Sequence, residues 1–332
     1  MKIREIGQSG IKTTALGIGT WAAGADNMWQ APDDDLAIEA IQTAVRSGIR
    51  LIDTAPAYGL GHAEQLIGRA LAESEIKRED VILQSKCGVT WHVKEGSNRF
   101  ERRGKTVVRN LTPESIQLSL DDTLKNLRTD YLDIYITHWQ SVDEFPVPIK
   151  DTMGKLMDLK RQGIIRAIGI SNVTPRHLLE YLDYGEVDLV QEKYSMLDRR
   201  NVEDNLLPLC EKFNITLQAY TPLEHGLLTG AITMATEIPE GDVRNRNAWY
   251  RPENRIQVVE TLEKWAPLTV KYNCTISQLV IAWTLDRSEK MSVLCGVRRP
   301  KHAEANAAAG AVELEKADWE AMYQDIKKLA LK

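Results

Sequence analysis

Four side chains suited to proton transfer each follow a short apolar run of the chain. Asp53 and Tyr58 follow the run at residues 51–52, Lys86 follows residues 81–83, and His138 follows residues 131–136. Each run is typical of a buried strand, and each polar residue stands where that strand gives way to a loop. Loops after the strands of α/β proteins carry the chemistry, so we expect these side chains to meet at one site.

Together these side chains are suited to giving a proton to a carbonyl oxygen. A tyrosine hydroxyl has an ordinary pKa of about 10, and a nearby lysine ammonium lowers that pKa toward neutrality. Asp53 would hold Lys86 charged and oriented. His138 would bond the substrate oxygen from a second side. The sequence offers no serine or cysteine nucleophile beside a base and no metal-ligand spacing, so the difficult step requires a cofactor.

Each of these residues also has an ordinary structural explanation. Lys86 is then a surface lysine, and Asp53 caps the next helix. His138 is a packed histidine bonded to backbone, and Tyr58 is an aromatic residue of its loop. The recurrence of such residues at several strand ends favours the catalytic interpretation.

The order of the predicted elements indicates how these residues are positioned. Eight strands, each followed by a helix, predict a closed (β/α)8 barrel that forms one domain over residues 1–332. A β-hairpin at residues 3–14 precedes the barrel, and long strand-end loops occupy residues 89–110 and residues 223 to about 254. The alternative is an open doubly wound sheet, but residues 17–19 lack the third glycine of a phosphate-binding fingerprint.

Several helix boundaries are marked by their residue types. Pro32 and the aspartates of residues 33–35 open the first helix, because acidic residues favour a helix N-terminus. Thr112 and Thr174, each followed by a proline, cap two later helices. We expect residues 205–213 to be helical and residues 255–286 to hold two helices.

The composition argues against several classes of partner. The formal net charge is −5 and the pI is near 5.8, so no basic surface favours nucleic acid or acidic lipid. No apolar run is long enough to span a bilayer, and the first residues lack the apolar core of a signal peptide, so we expect a cytoplasmic protein. Scattered spacing predicts reduced thiols and no metal site for the cysteines, which are Cys87, Cys210, Cys274 and Cys295.

In their order and strand positions, Asp53, Tyr58, Lys86 and His138 resemble the catalytic tetrad of the aldo-keto reductases. Residues 48–68 look like the signature of that family, with Asp-Thr-Ala, Tyr-Gly and a final Glu-Gln-Leu-Ile-Gly. The resemblance extends from residue 17 to residue 306. It implies a (β/α)8 barrel that binds NADPH or NADH in extended form without a Rossmann domain. More narrowly, the chain is similar to bacterial reductases of methylglyoxal and related small aldehydes.

The resemblance also implies which residues hold the cofactor and the substrate. At the nicotinamide we expect Asp53 and, at the carboxamide, Ser171, Asn172 and Gln191. Tyr220 is expected to stack on the nicotinamide ring. Those expected at the pyrophosphate and the mouth are Thr221, Leu223, Gly226, Gly19, Thr20 and Trp21. Those expected at the adenosine end are Gly296, Arg298, His302 and Asn306. The expected substrate pocket consists of Trp21, Tyr58, Trp91, His138 and Trp139.

These inferences predict NAD(P)H-dependent reduction of a small aldehyde or ketone, with hydride from the nicotinamide and the proton from Tyr58. The alternatives are a sugar or polyol dehydrogenase running the reverse oxidation and a cofactor-binding accessory subunit with little turnover. Arg298, Arg299 and Lys301 at a helix start are suited to a phosphate, and the resemblance implies that the 2′-phosphate of NADPH lies against this turn. His302 stands where many family members have an arginine, which weakens that preference. We therefore expect NADPH to be somewhat preferred and NADH to function as well.

Overall fold

Eight parallel strands close into a barrel in the structure, a computed structural model that describes residues 1–24 and 33–332. In chain order the strands are β1 (Ile3–Glu5), β2 (Lys12–Thr14), β3 (Leu16–Gly19), β4 (Leu51–Asp53), β5 (Ile82–Cys87), β6 (Val89–Thr90), β7 (Ser97–Arg102), β8 (Lys105–Arg109), β9 (Leu132–Thr137), β10 (Ile165–Ser171), β11 (Leu189–Lys193), β12 (Thr216–Tyr220) and β13 (Met291–Gly296). The barrel follows the order β3, β4, β5, β9, β10, β11, β12, β13 and closes from β13 onto β3. The predicted (β/α)8 fold is confirmed.

The helices connect the barrel strands and pack against them from outside. In chain order they are α1 (Asp34–Arg46), α2 (His62–Ala72), α3 (Pro113–Leu127), α4 (Ile149–Arg161), α5 (Pro175–Tyr184), α6 (Leu207–Lys212), α7 (Pro252–Lys264), α8 (Ala266–Lys271), α9 (Ile276–Leu285), α10 (Pro300–Ala309) and α11 (Lys316–Lys327). Asp33 caps α1, and the hydroxyls of Thr112 and Thr174 cap α3 and α5 as predicted. Pro32 lies outside the described residues. No described helix is both long and apolar enough to cross a membrane.

Two helical segments differ from the prediction. Residues 252–286 hold three helices rather than two, because the chain turns at Asn273, whose φ is +46°, before Thr275 caps α9. Pro267 in the first turn of α8 lacks an N–H, so α7 does not continue through it. The helix predicted at residues 205–213 is shorter, since α6 begins only after a π-helical turn at Val202–Leu206.

The first long loop folds into a small antiparallel sheet, which the sequence analysis did not predict. Strand β8 pairs with β7 on one side and with β6 on the other. Arg103 and Gly104 form the two-residue turn between β7 and β8, and both have positive φ, as a tight hairpin turn requires. The second long loop contains 3-10 turns at Glu224–Thr229, Val243–Arg246 and Ala248–Tyr250.

The N-terminal hairpin closes the bottom of the barrel. The strands β1 and β2 pair antiparallel, which confirms the predicted hairpin. Ile6 and Ile11, in the turn between them, belong to the same buried apolar cluster as Leu51 of β4 and Leu189 of β11. The hairpin thus supplies an apolar floor to the barrel interior.

Alternation of side chains along the strands decides what lies above that floor. In β4, Leu51 joins the inner apolar cluster and Ile52 joins the outer one, under the helices. Successive residues of a strand point to opposite faces, so Asp53 points inward, one layer above Leu51. The same period directs Gln84 and Lys86 of β5 inward. Polar side chains therefore occupy the carboxyl end of the interior.

Candidate active site

The predicted tetrad residues converge at the carboxyl end of the barrel. Lys86 Nζ donates to Asp53 Oδ1 at 2.6 Å, to Thr54 O at 2.7 Å and to Tyr58 OH at 3.2 Å. The ring of His138 stands edge-on to the ring of Tyr58, with their centroids 5.9 Å apart. The structure thus brings the four side chains into one contiguous group.

Three neighbouring strands and one tight turn position these side chains. Strands β4, β5 and β9 are adjacent in the barrel and carry Asp53, Lys86 and, just beyond its end, His138. Tyr58 lies in the loop after β4.

Gly59 fixes the shape of the loop that holds Tyr58. Its φ is +69°, and a Cβ at this position would lie 1.9 Å from the backbone oxygen of Gly24. No other residue type fits this close approach, which explains the Tyr-Gly pair of the signature.

Burial governs protonation within the group. Lys86 is fully buried, and the loss of hydration lowers its pKa while the adjacent Asp53 carboxylate acts in the opposite direction. Burial also holds the pKa of His138 well below its usual range, and the positive charges of Lys86 and Arg109 add to this effect. His138 is therefore a neutral ring at neutral pH, able to donate or accept a hydrogen bond.

The residues predicted at the nicotinamide carboxamide form a second connected group. Tyr220 OH donates to Asn172 Oδ1 at 2.8 Å. Asn172 Nδ2 donates to Ser171 Oγ at 3.1 Å and to His138 O at 2.8 Å. Ser171 Oγ donates to Gln191 O at 2.7 Å. These bonds tie the ends of β10, β11 and β12 to the residue that follows β9.

Buried Glu224 anchors the segment after β12, which was expected at the pyrophosphate. The expected residues in this segment are Thr221, Leu223 and Gly226. The Glu224 carboxylate accepts from Ser195 Oγ at 2.6 Å and from Asn247 Nδ2 at 2.8 Å. Thr221 has a φ of +58°, which β-branched residues rarely adopt, so the surrounding contacts must hold this conformation.

Positive charge gathers where α10 begins, beside the end of β13. The residues expected at the adenosine end all lie here, and they are Gly296, Arg298, His302 and Asn306. Burial and neighbouring cations lower the pKa of both Arg298 and His302. Asn306 Nδ2 donates to Gly296 O at 3.3 Å and ties the helix to the strand end. A helix N-terminus with clustered cations suits a phosphate.

The residues predicted to line the mouth surround Asp53. Gly19 pairs with Asp53 across β3 and β4, and Thr20 Oγ1 donates to Asp53 O at 2.9 Å. The ring of Trp21 packs edge-on against His225, with centroids 6.2 Å apart. Trp21 thus connects the end of β3 to the segment after β12.

The other predicted pocket tryptophans contact the small sheet of β6, β7 and β8. Trp139 is exposed, and the guanidinium carbon of Arg109 lies 4.4 Å from the centroid of the Trp139 ring. Trp91 lies 4.8 Å from Lys105 Nζ and 5.1 Å from the ring of His92. The small sheet therefore stands beside the segment that carries His138.

The sequence analysis missed two buried glutamines, Gln84 beside Asp53 and Gln218 beside Gln84. Gln84 Nε2 donates to Asp53 Oδ1 at 2.7 Å and to Gln218 Oε1 at 2.6 Å. A signal was available, because Gln84 stands two residues before Lys86 and Gln218 two residues before Tyr220. Residues so spaced share one face of a strand.

A cavity of about 650 Å³ lies between the segment after β11, the loop after β12 and the end of α11. None of the four tetrad side chains lines it. His225 lines it and also contacts Trp21, so the cavity adjoins the predicted mouth.

No group of three or more potential metal ligands gathers within residues 1–24 and 33–332. The four cysteines are free thiols, and Cys87, Cys210 and Cys295 are buried.

Comparison with known proteins agrees with this fold. The Aldo/keto reductase family matches residues 15–326. The chain belongs to this family. A relative from Escherichia coli (strain K12), named NADH-specific methylglyoxal reductase, is 43% identical over 320 residues and covers 96% of both chains. An aldo-keto reductase of Bacillus subtilis is 32% identical over 308 residues, which cover 92% of this chain and 87% of the relative.

Solved structures of other aldo-keto reductases share the fold. The glycerol dehydrogenase of Gluconobacter oxydans superposes with a TM-score of 0.87 at 28% identity, covering 99% of this chain and 96% of the other. Family membership confirms that this aldo-keto reductase is an oxidoreductase that uses a nicotinamide cofactor to reduce carbonyl groups.

Proposed function

We propose that this aldo-keto reductase reduces a small aldehyde or ketoaldehyde to an alcohol, with Tyr58 as the proton donor. The hydrogen bonding of Lys86 is the observation that carries the proposal. Its ammonium has three hydrogens, and the bonds to Asp53, Thr54 and Tyr58 use all three. An ammonium can only donate, so Tyr58 accepts in this contact and its own hydrogen is not used by it.

The surrounding groups support proton transfer from that phenol. The ammonium of Lys86 stabilises the phenolate that remains after the proton has left. Neutral His138, beside Tyr58, can bond the same substrate oxygen. Two polar groups would then face the charge that develops on the carbonyl oxygen during reduction.

The cofactor site proposed for NAD(P)H begins next to the tetrad. When bound, the reduced nicotinamide supplies the hydride. Gln191 fits its carboxamide, because Gln191 donates both amide hydrogens to Asp53 and Gln218 and its Oε1 accepts none from the described residues. The other proposed cofactor residues are Gly19, Thr20, Trp21, Ser171, Asn172, Tyr220, Thr221, Leu223, Gly226, Gly296, Arg298, His302 and Asn306.

A small substrate is supported by the relative named as a methylglyoxal reductase and by the aromatic residues near the mouth. We propose small aldehydes, ketoaldehydes and short sugars rather than steroids. A substrate panel followed by cofactor absorbance tests this: kcat/KM for methylglyoxal should exceed that for a bulky steroid ketone. The opposite order would refute a small pocket formed by Trp21, Trp91 and Trp139.

The reverse oxidation of a polyol is the second candidate function. A glycerol dehydrogenase is among the structural neighbours, and the tetrad serves both directions of the reaction. Rates measured in both directions at equal cofactor concentration separate the two. The contact between Lys86 and Tyr58 argues against an accessory subunit, and reduction of a generic aldehyde would eliminate an inactive one.

The choice between NADPH and NADH rests on opposing observations. The cations at the start of α10, Arg298 among them, favour a 2′-phosphate, whereas the relative from Escherichia coli is named NADH-specific. We propose that both cofactors function, with NADPH somewhat preferred.

Replacing the phenol hydroxyl tests the proposed proton donor. Tyr58→Phe should retain cofactor affinity and lose about 10²–10⁴-fold in kcat, the usual contribution of a general acid. Tyr184→Phe is the matched control, since Tyr184 is an exposed tyrosine at the end of α5. Turnover by Tyr58→Phe at the parental rate would show that another group gives the proton.

A further inference from the structure

Three glutamine side chains form a layer across the barrel interior, directly beneath Lys86. We call Gln84, Gln191 and Gln218 the amide layer. They lie on β5, β11 and β12 and are at most 3% exposed. Gln84 pairs in register with Asp53, and Gln191 pairs with Gln218. The layer and Asp53 therefore stand at one level, above the apolar floor.

Hydrogen bonds join the layer to a single carboxylate oxygen. Gln218 Oε1 accepts from Gln84 Nε2 at 2.6 Å and from Gln191 Nε2 at 2.7 Å. The second hydrogen of each of these amides goes to Asp53 Oδ1, at 2.7 Å from Gln84 and 3.1 Å from Gln191. Gln218 thus supplies the acceptor that both other glutamines share.

Asp53 sets the orientation of these amides. Its carboxylate, paired with Lys86, only accepts, so the amide groups that face it must be NH₂ groups. Asp53 Oδ1 then accepts from three donors, which offsets the cost of burying its charge. The same bonds use the NH₂ group of Gln191, and its Oε1 accepts no hydrogen bond from residues 1–24 and 33–332.

We propose that Gln84 and Gln218 are positioning residues for the reaction. They hold Asp53 Oδ1 against Lys86, and Gln218 also holds Gln191 with its Oε1 presented to the nicotinamide carboxamide. The inference rests on the proposed function, in which Lys86 tunes the phenol of Tyr58. The Asp53–Lys86 ion pair and the contact of Gln191 with the cofactor are then two ends of one hydrogen-bonded network.

The proposal gives the two glutamines different signatures. In Gln84→Met, Asp53 loses one donor while Gln191 keeps both of its bonds. The less stabilised carboxylate then attracts the Lys86 proton more strongly, so less positive charge faces Tyr58. The alkaline limb of the kcat/KM profile for aldehyde reduction should move up by roughly half a pH unit or more, with cofactor Kd unchanged.

In Gln218→Met, both remaining amides lose their shared acceptor at nearly constant side-chain volume. The alkaline limb should move as in Gln84→Met, and cofactor Kd should also weaken, because Gln191 is released. We expect kcat/KM to fall by about 10- to 100-fold, the range found when hydrogen-bond partners that orient metal ligands are removed. Gln218→Glu keeps an acceptor for both amides and should recover part of the cofactor affinity.

Asn254→Leu is the control for the loss of a buried amide. Asn254 is fully buried on α7 and bonds to Ala248 O, away from the amide layer. This variant should lose stability and keep the parental alkaline limb and cofactor Kd.

Fluorescence titration of NADPH and pH profiles from pH 6 to 10 provide the readouts. If Gln84→Met and Gln218→Met behave like Asn254→Leu, the layer only packs the barrel and the proposal is overturned. If Gln218→Met does not fold, the pH profile of Gln84→Met decides. Failure of the proposed function looks different, because Tyr58→Phe would then retain both turnover and the alkaline limb.

Discussion

Glu64 is a buried acid that the proposed reaction does not use, and it makes the stability depend on pH. It lies on α2 and accepts from Ser85 Oγ at 2.7 Å, Thr123 Oγ1 at 2.9 Å and Asn126 Nδ2 at 3.2 Å. Burial raises its pKa from 4.5 to about 7, against the effect of these bonds. Between these two values the folded chain binds a proton more tightly than the unfolded chain. Stability contributed by Glu64 is therefore present at low pH and lost as the pH rises toward 7.

The size of this change in unfolding free energy follows from the pKa difference, and Glu64→Gln isolates it. At 1.36 kcal/mol per unit of pKa the full effect is roughly 3 kcal/mol, of which about 2–3 kcal/mol falls between pH 5 and pH 8. The glutamine oxygen can still accept from Ser85 and Thr123. Its NH₂ group meets Asn126 Nδ2, a mismatch that costs about 1 kcal/mol at every pH.

Urea unfolding of parent and variant at pH 5 and pH 8 measures this effect. The stability of the variant relative to the parent should rise by about 2–3 kcal/mol over this interval. Glu73→Gln, at the exposed end of the same helix, should keep a constant difference from the parent within about 0.5 kcal/mol. Parallel pH dependences for parent and Glu64→Gln would refute the burial of a titrating carboxyl at this site.

Two further substitutions test the charges of the site. Lys86→Met leaves Asp53 buried without its counter-ion, so urea unfolding should show a loss of about 3–5 kcal/mol, and kcat should fall as it does in Tyr58→Phe; parental turnover would remove Lys86 from the mechanism. Arg298→Ala should lower the ratio of kcat/KM for NADPH to that for NADH, more at low than at moderate salt, because exposed phosphate contacts are screened. An unchanged ratio, or a strong NADH preference in the parent, would remove the phosphate role of this turn.

The fold was predictable because its signals are local and repeat along the chain. Short apolar runs marked all eight barrel strands, most of them followed by polar residues, and threonine-proline pairs marked the starts of α3 and α5. The small sheet of β6, β7 and β8 was missed because β6 is very short, β7 is mostly exposed, and the three strands carry little apolar alternation. The break between α7 and α8 was also missed, although it is caused by a single residue, Pro267. The single-domain organisation of residues 1–332 stays a prediction, to be checked by whether unfolding shows one transition.

The candidate site was predictable only where a residue type is suited to chemistry by itself. Lysine, aspartate and tyrosine at strand ends stand out in a sequence, so Asp53, Tyr58 and Lys86 were found. Glutamines inside strands do not stand out, and Gln84 and Gln218 acquire their meaning only when barrel closure brings β5 and β12 to one level. Sequence patterns within one strand do not show that Gln84 and Gln218 will lie side by side.

A last prediction concerns how far the charge of Lys86 depends on its surroundings. In β5, Lys86 points into the barrel, and Ser85 points outward and donates to Glu64. Ionised Glu64 favours the charged lysine, but its effect on the Lys86 pKa ranks below that of Asp53. Glu64→Gln should therefore reduce the pH dependence of stability and leave the alkaline limb of the kcat/KM profile at the parental position. A shift of that limb in Glu64→Gln would show that a carboxylate outside the barrel helps to set the charge of the site, and Asp53 with the amide layer would then be an incomplete account of it.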